Sequence, residues 1–155
     1  MIYHATRAPI DVGLTLTPSF YYANLISNKN KPDMQPQYNK EVVFEEIRKV
    51  FYHERPSRLA CNYVMRDYQD VVEYRDNHPH LHAGCIYEVV PSNPETAILF
   101  DADMVWLDCN YLSLEQITQY AHEYWSGTPS QSPQWETLCG GDGIKLIKQL
   151  AGPIK

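Results

Sequence analysis

WETLCGGDGIKLIKQL, residues 135–150, reads as two strands around a tight turn. Trp135 to Cys139 is a compact β-compatible run, Gly140-Gly141-Asp142-Gly143 supplies the residues a sharp reversal needs, and Ile144 to Leu150 is a last strand. Ahead of it, Thr128 to Pro133 is a turn-rich loop. Further upstream, Ser113 and Gln116 form an S-x-x-Q capping signature, and Leu114, Ile117, Tyr120, Ala121 and Tyr124 keep a helical stripe until Gly127. Two more β runs precede this helix, Gly84 to Val90 and Ala97 to Phe100, the second leading into Asp101-Ala102-Asp103.

Earlier in the chain the helical signals dominate. Asp67 to Arg75 reads as a helix before the His78-Pro79-His80 turn, and Ser57 to Met65 fits either strand or helix. Val43, Phe44, Ile47, Val50 and Phe51 mark an amphipathic helix over Glu41 to Tyr52, with Lys40, Glu41, Glu45 and Lys49 off its apolar stripe and Pro56 as its limit. Ser27 to Asn39 is expected to be an exposed loop and a candidate lid, and Ile2 to Thr6 a first strand before Pro9 and Gly13. Early helices and late strands predict an α+β fold.

At 155 residues the chain is one ordinary domain without internal repeats, and 44% hydrophobic residues exclude a disordered class. No stretch approaches the roughly 18 consecutive apolar residues of a membrane span, and MIYHATRAP lacks the order of a signal peptide, so a soluble cytoplasmic protein is expected. Cys61, Cys85, Cys109 and Cys139 form no C-x-x-C pair and read as reduced core thiols. Residues 1–66 carry nine Lys/Arg against six Asp/Glu, and residues 67–155 four against thirteen. The acidic total excludes general nucleic-acid binding by phosphate neutralisation. Arg48, Lys49, Arg55, Arg58 and Arg66 remain as either one local anion site or a solvated mixed-charge face.

Phosphate-binding glycine loops, nucleophile elbows and zincin motifs are absent from the sequence. His78, His80 and His82 alternate and would share one face of an extended segment, as ligands for a metal or simply as a polar turn. Asp101, Asp103 and Asp108 lack the spacing of a calcium loop, and Tyr111, Tyr120, Tyr124 and Trp125 read as core. Two other segments carry chemistry when taken together. Tyr3-His4-Ala5-Thr6-Arg7 puts a histidine, a small residue and a hydroxyl on the first strand, and Gln134-Trp135-Glu136 puts two polar side chains on one face at the start of a late strand.

On these residues the chain resembles the ADP-ribosyltransferase superfamily, in particular small bacterial and phage domains with an H-G-T-like motif on the first strand and a Q-x-E or E-x-E motif on a late one. The resemblance implies a single α+β domain over residues 1–155, with two small, mainly antiparallel sheets around an NAD cleft and helices at the periphery. It implies a mono-ADP-ribosyltransferase that takes NAD as substrate. His4 corresponds to the histidine that bonds a ribose hydroxyl, and Ala5 stands where the family has a glycine against the nicotinamide amide. Glu136 corresponds to the catalytic glutamate and Gln134 to the residue that orients the acceptor. Thr6, Arg7, Ser57 and Arg58 would complete the NAD site, with Arg7 or Arg58 on the pyrophosphate. Tyr63, or else Tyr52 or Tyr68, would lie against nicotinamide. The acceptor implied is a macromolecule, a protein side chain rather than a nucleic acid, and the acidic second part of the chain suits a basic protein surface. The alternatives are a non-catalytic interaction or inhibitor protein using that acidic face, and a metal-binding protein using the histidines.

Overall fold

The computed structural model of the chain describes residues 1–18 and 21–153. In order, the elements are β1 (Ile2–Thr6), β2 (Thr15–Leu16), α1 (Tyr21–Ser27), α2 (Gln35–Phe51), β3 (Asn62–Val64), α3 (Tyr68–Asn77), β4 (Cys85–Pro91), β5 (Ile98–Asp103), α4 (Leu114–Ser126), β6 (Trp135–Gly140) and β7 (Ile144–Ala151). Short 3-10 turns at Arg58–Ala60 and Met104–Leu107 complete them. The fold is α+β, with two antiparallel sheets, β1-β4-β7-β2 and β3-β6-β5.

Local chemistry sets many of the element ends. Ser113 accepts from the Gln116 backbone while the Gln116 side chain accepts from the Ser113 backbone, so two otherwise orphaned donors at the start of α4 are satisfied. Gly127 closes the same helix at φ +76°, where a side chain would be strained. Asp67 caps α3 through the backbone of Gln69 and Asp70. At α2, Pro36 sits in the first turn, where its missing N–H costs no helix bond. The helix therefore starts at Gln35, and the loop expected over 27–39 shrinks to the stretch between Ser27 and Gln35.

Two polar residues expected outside the α2 stripe are in fact enclosed. Glu41 is 1% exposed and Lys40 is buried beside it. The reason lies further along the chain, where Arg58 of the first 3-10 turn meets Glu41 and the Leu107 carbonyl of the second accepts from the Lys40 Nζ at 3.1 Å.

The strands at 135–150 also behave differently from a simple hairpin. β6 pairs with β3 and β5, whereas β7 pairs with β4 and β2, so the Gly140–Gly143 turn hands the chain from one sheet to the other. Gly143, at φ +111°, lies so close to β2 that a Cβ there would fall 2.3 Å from the Leu16 carbonyl oxygen. Packing follows this division. Phe44 of α2 and Tyr124 and Trp125 of α4 bury themselves with Phe100 and Leu138 on the three-stranded sheet, and the Trp125 indole N–H donates to the Phe44 carbonyl at 2.8 Å. Each such large side chain contributes about 1.5–3 kcal/mol on burial. Ile2, Tyr87, Val89, Ile144 and Leu146 form a second core on the four-stranded sheet, and Val71 of α3 covers Ala5 and Ile86 in a third. Tyr120 packs edge-on against Trp106, but Tyr111, expected in the core, is exposed.

All four thiols are free and buried. Burial pushes Cys61 up to about 12 and Cys109 up to about 11, so neither is a nucleophile at neutral pH.

The two sheets touch along a short seam. Tyr3 of β1 and Met65, just after β3, exchange backbone hydrogen bonds at 2.8 and 2.9 Å in an isolated bridge. Beyond it the strands part, and the gap between them is the site described next.

Candidate functional site

The gap holds a cavity of about 460 Å³, inside the roughly 300–1,000 Å³ range of small-molecule sites. His4 and Ala5 of β1, Asn62 and Tyr63 of β3, Tyr74 of α3 and Glu136 of β6 reach it. Glu136 also borders a second cavity of about 500 Å³ on the α2 side, together with Lys40, Glu41, Arg58, His78 and His80. Tyr63 and Tyr74 line both.

His4 is fixed by the divergence of the strands. Its Nδ1 lies 2.8 Å from the Tyr63 carbonyl oxygen, which can only accept, so Nδ1 carries the proton and Nε2 of the neutral ring is an acceptor. Burial lowers the imidazole pKa from its ordinary value, and the carbonyl bond works the other way without reversing this. Ala5 is buried beside it and pairs with Ile86 of β4.

Glu136 is 5% exposed. Its Oε1 accepts from the Arg58 Nη1 at 2.5 Å and from the Tyr124 hydroxyl at 2.7 Å. Both bonds fall on one oxygen, so among the described residues Oε2 is left for a ligand. Arg58 is held from the other side by Glu41, with Nε 3.2 and 3.3 Å from its two oxygens, and Arg58 Nη1 also donates to the Tyr124 hydroxyl at 2.9 Å. Burial opposes the guanidinium charge, but Glu41 foremost, with Tyr124, Tyr63 and Glu136, holds the Arg58 pKa well above its ordinary value. Burial likewise raises the Tyr124 hydroxyl, which stays protonated as a donor.

Two residues expected at the ligand are engaged within the protein. Arg58 bonds Glu41, Glu136 and Tyr124 and borders the second cavity, not the first. Ser57 caps the 3-10 turn, accepting from the Leu59 backbone at 3.1 Å and donating to Glu45 at 2.9 Å, so it belongs to the turn and not to a ligand. The basic residues do not pool either. Arg48 pairs with Glu45, Lys49 with Glu46 and Arg66 with Asp101, and Arg55 lies over the Phe100 ring. Thr6 donates to the Ala8 carbonyl at 2.8 Å and Arg7 is exposed, and both stand outside the cavity lining.

Of Tyr63, Tyr52 and Tyr68, Tyr63 is the one that lines the cavity. Its hydroxyl donates to the Arg58 carbonyl, and its ring lies 5.4 Å from the Arg58 guanidinium. Tyr52 is turned to His122, 3.1 Å from its Nδ1, and Tyr68 packs edge-on against Tyr3.

Gln134 precedes β6 with an exposed side chain, bordering a separate depression of about 200 Å³ that shares Tyr74 with the two cavities. Its backbone is pinned by Asp103. That carboxylate, fully buried, accepts from Ser130 at 2.7 Å, Gln134 at 2.9 Å and Val105 at 3.0 Å. Burial alone would raise the Asp103 pKa, but these N–H donors more than offset it and the pKa falls.

The histidine cluster does not form on an extended face, because His78 directly follows α3 and the segment turns there. The His78 and His80 rings are 5.6 Å apart, and His82 donates to the Asp76 carbonyl at 3.1 Å. Among the described residues no group of three or more His, Cys, Asp or Glu is placed to hold a metal ion. None of their helices is long and apolar enough to cross a membrane.

Glu41, Asn62, Tyr74 and Tyr124 belong to the site and carried no motif. Glu41 had one faint signal, a carboxylate beside a hydrophobic stripe seventeen positions from the arginine it meets.

Residues 19–151 match a family model described as "Protein of unknown function (DUF2441)". No curated protein matches the chain.

Proposed function

We propose that this chain, which belongs to the DUF2441 family of proteins of unknown function, is a mono-ADP-ribosyltransferase that cleaves NAD and passes ADP-ribose to a macromolecular acceptor. The observation that carries the reading is the meeting of His4 and Glu136, from strands of different sheets, at one cavity of ligand size, with Tyr63 between them.

The acceptor character of the fixed groups supports it. His4 Nε2 and Glu136 Oε2 can accept from a partner that brings O–H or N–H donors, and a nicotinamide riboside brings ribose hydroxyls and a positive ring. Tyr63 and Tyr74 offer aromatic faces to that ring. Among the described residues no Lys or Arg lines this cavity, so the proposed site for the phosphates is outside it, with the exposed Arg7 just after β1 as the candidate partner.

In the reaction the bond between nicotinamide nitrogen and ribose C1′ breaks, and its electron pair leaves with nicotinamide. Positive charge grows on the ribose. Glu136 Oε2, accepting from the 2′-hydroxyl, binds more strongly as that charge develops, which is differential stabilisation of the transition state. Arg58 and Tyr124 hold the carboxylate in place through its Oε1. The nucleophile on the acceptor then bonds C1′ and gives up its proton, with Gln134 at the neighbouring depression orienting it.

The test is nicotinamide release from NAD by the wild type and by Glu136→Gln. The amide keeps an oxygen for Arg58 and Tyr124, so the fold should stay within about 1 kcal/mol of wild type, while release should fall by about 100-fold or more. Release by Glu136→Gln at the wild-type rate sinks the proposal.

A further inference from the structure

Among the described residues that line the cavity, one has a fully buried side-chain polar atom without a hydrogen-bond partner. Asn62, at the start of β3, is 4% exposed and lines the cavity. Its Nδ2 donates to the Thr17 carbonyl at 3.0 Å and lies 3.5 Å from that of Leu16. Two carbonyls can be met only by the NH2 end of the amide, so its orientation is determined and the other end is an acceptor. Among the described residues no donor reaches Oδ1. Native folds rarely enclose such an atom without a use for it. The surrounding walls, Val64, Met65, Val71 and Leu81, are apolar, so the donor it needs arrives with a ligand whose remaining surface is largely apolar or aromatic.

We infer that Asn62 Oδ1 reads the carboxamide of nicotinamide by accepting from its NH2 group, and that it thereby separates NAD from the analogue carrying a carboxylate at that position. This rests on the NAD reading above. The chemistry of discrimination is one-sided. An amide presents a donor to Oδ1, whereas a carboxylate presents only oxygens and must lie against a buried acceptor while losing its own water. Sites of this kind reject the wrong partner more strongly than they favour the right one, because the mismatch leaves buried polar groups unpaired. The tether of Asn62 to Thr17 adds stiffness, since the amide cannot rotate to offer its NH2 end without abandoning two carbonyls.

The experiment is calorimetric titration of the full chain with NAD and, separately, with nicotinic acid adenine dinucleotide. The wild type should bind NAD roughly 30-fold or more tightly, which corresponds to about two steps of 1 kcal/mol. Asn62→Leu removes the acceptor and should bring the two affinities within about threefold of each other, chiefly by relieving the rejection of the carboxylate analogue. Asn62→Ser, which keeps a hydroxyl donor for the Thr17 carbonyl, serves where loss of the β2 tether prevents Asn62→Leu from folding. Equal affinity of the wild type for both dinucleotides overturns the assignment of Asn62 and leaves the NAD reading standing. A retained preference in a folded Asn62 variant overturns it in the same way. Binding of neither dinucleotide by the wild type overturns the NAD reading itself.

Discussion

Arg58→Met is the substitution that most directly tests the buried network. The guanidinium is 7% exposed and stands between Glu41 at 1% and Glu136 at 5%. Methionine fills much of the same volume and removes every donor, so two enclosed carboxylates lose their shared counter-charge and Tyr124 loses a neighbour. Breaking one buried pair by deleting a partner costs about 3–5 kcal/mol, and with two carboxylates stranded the upper part of that range is expected. Against a typical total of about 5–15 kcal/mol the protein should remain folded but weakened, with Tm lower by on the order of 10 °C. Urea unfolding at pH 7, with the slope checked for constancy, measures this. Adding Glu41→Gln to Arg58→Met should recover a large part of the loss at pH 7, because one of the two stranded charges is gone. A loss below about 1 kcal/mol at pH 7, or no recovery in the double variant, would refute the claim that these carboxylates depend on Arg58.

Two further outcomes concern His4 and Gln134. Burial holds the His4 pKa below its ordinary 6.5, so the folded state disfavours the charged ring; the stability it contributes is complete above about pH 6.5 and is lost as pH falls through the lower folded value. The stability of wild type minus that of His4→Gln, followed by denaturant unfolding from pH 7.5 to 5, should therefore fall, and a flat difference would show that the ring is not held neutral. Gln134→Ala should preserve hydrolysis of NAD by water while losing transfer to a macromolecule, since water needs no orienting group and a side-chain nucleophile does. Nicotinamide release and label incorporation measured together decide it, and equal loss of both would assign Gln134 to the NAD site.

What could be read from the sequence was mostly what neighbouring residues decide. The α4 capping box, the Gly127 stop and the runs that became β1, β4 and β6 depend on residues within a few positions of one another. Glu41 lies off the apolar stripe in the sequence, and its burial is not legible there because it depends on Arg58, which in turn depends on Glu136, 78 positions away. Asn62 fell in a stretch that fitted strand or helix equally, and its unpaired oxygen exists only because β2 comes alongside and takes the other end of the amide. The β6–β7 turn was visible from its glycines, yet nothing local reveals that the strands it joins enter different sheets. The histidines alternate in sequence, but their alternation had meaning only in an extended segment, and the chain turns instead.

The Asp103 carboxylate, by gathering the backbones of Val105, Ser130 and Gln134, changes when the loop before β6 loses its freedom. An untethered loop of that length would have to be ordered by whatever docks against it, at roughly 1–2 kcal/mol per backbone residue. Here that entropy is surrendered when the chain folds. Under the proposed transfer reaction an acceptor meeting this edge would dock close to rigidly, with shape and charge at Gln134 and Trp135 deciding which one fits.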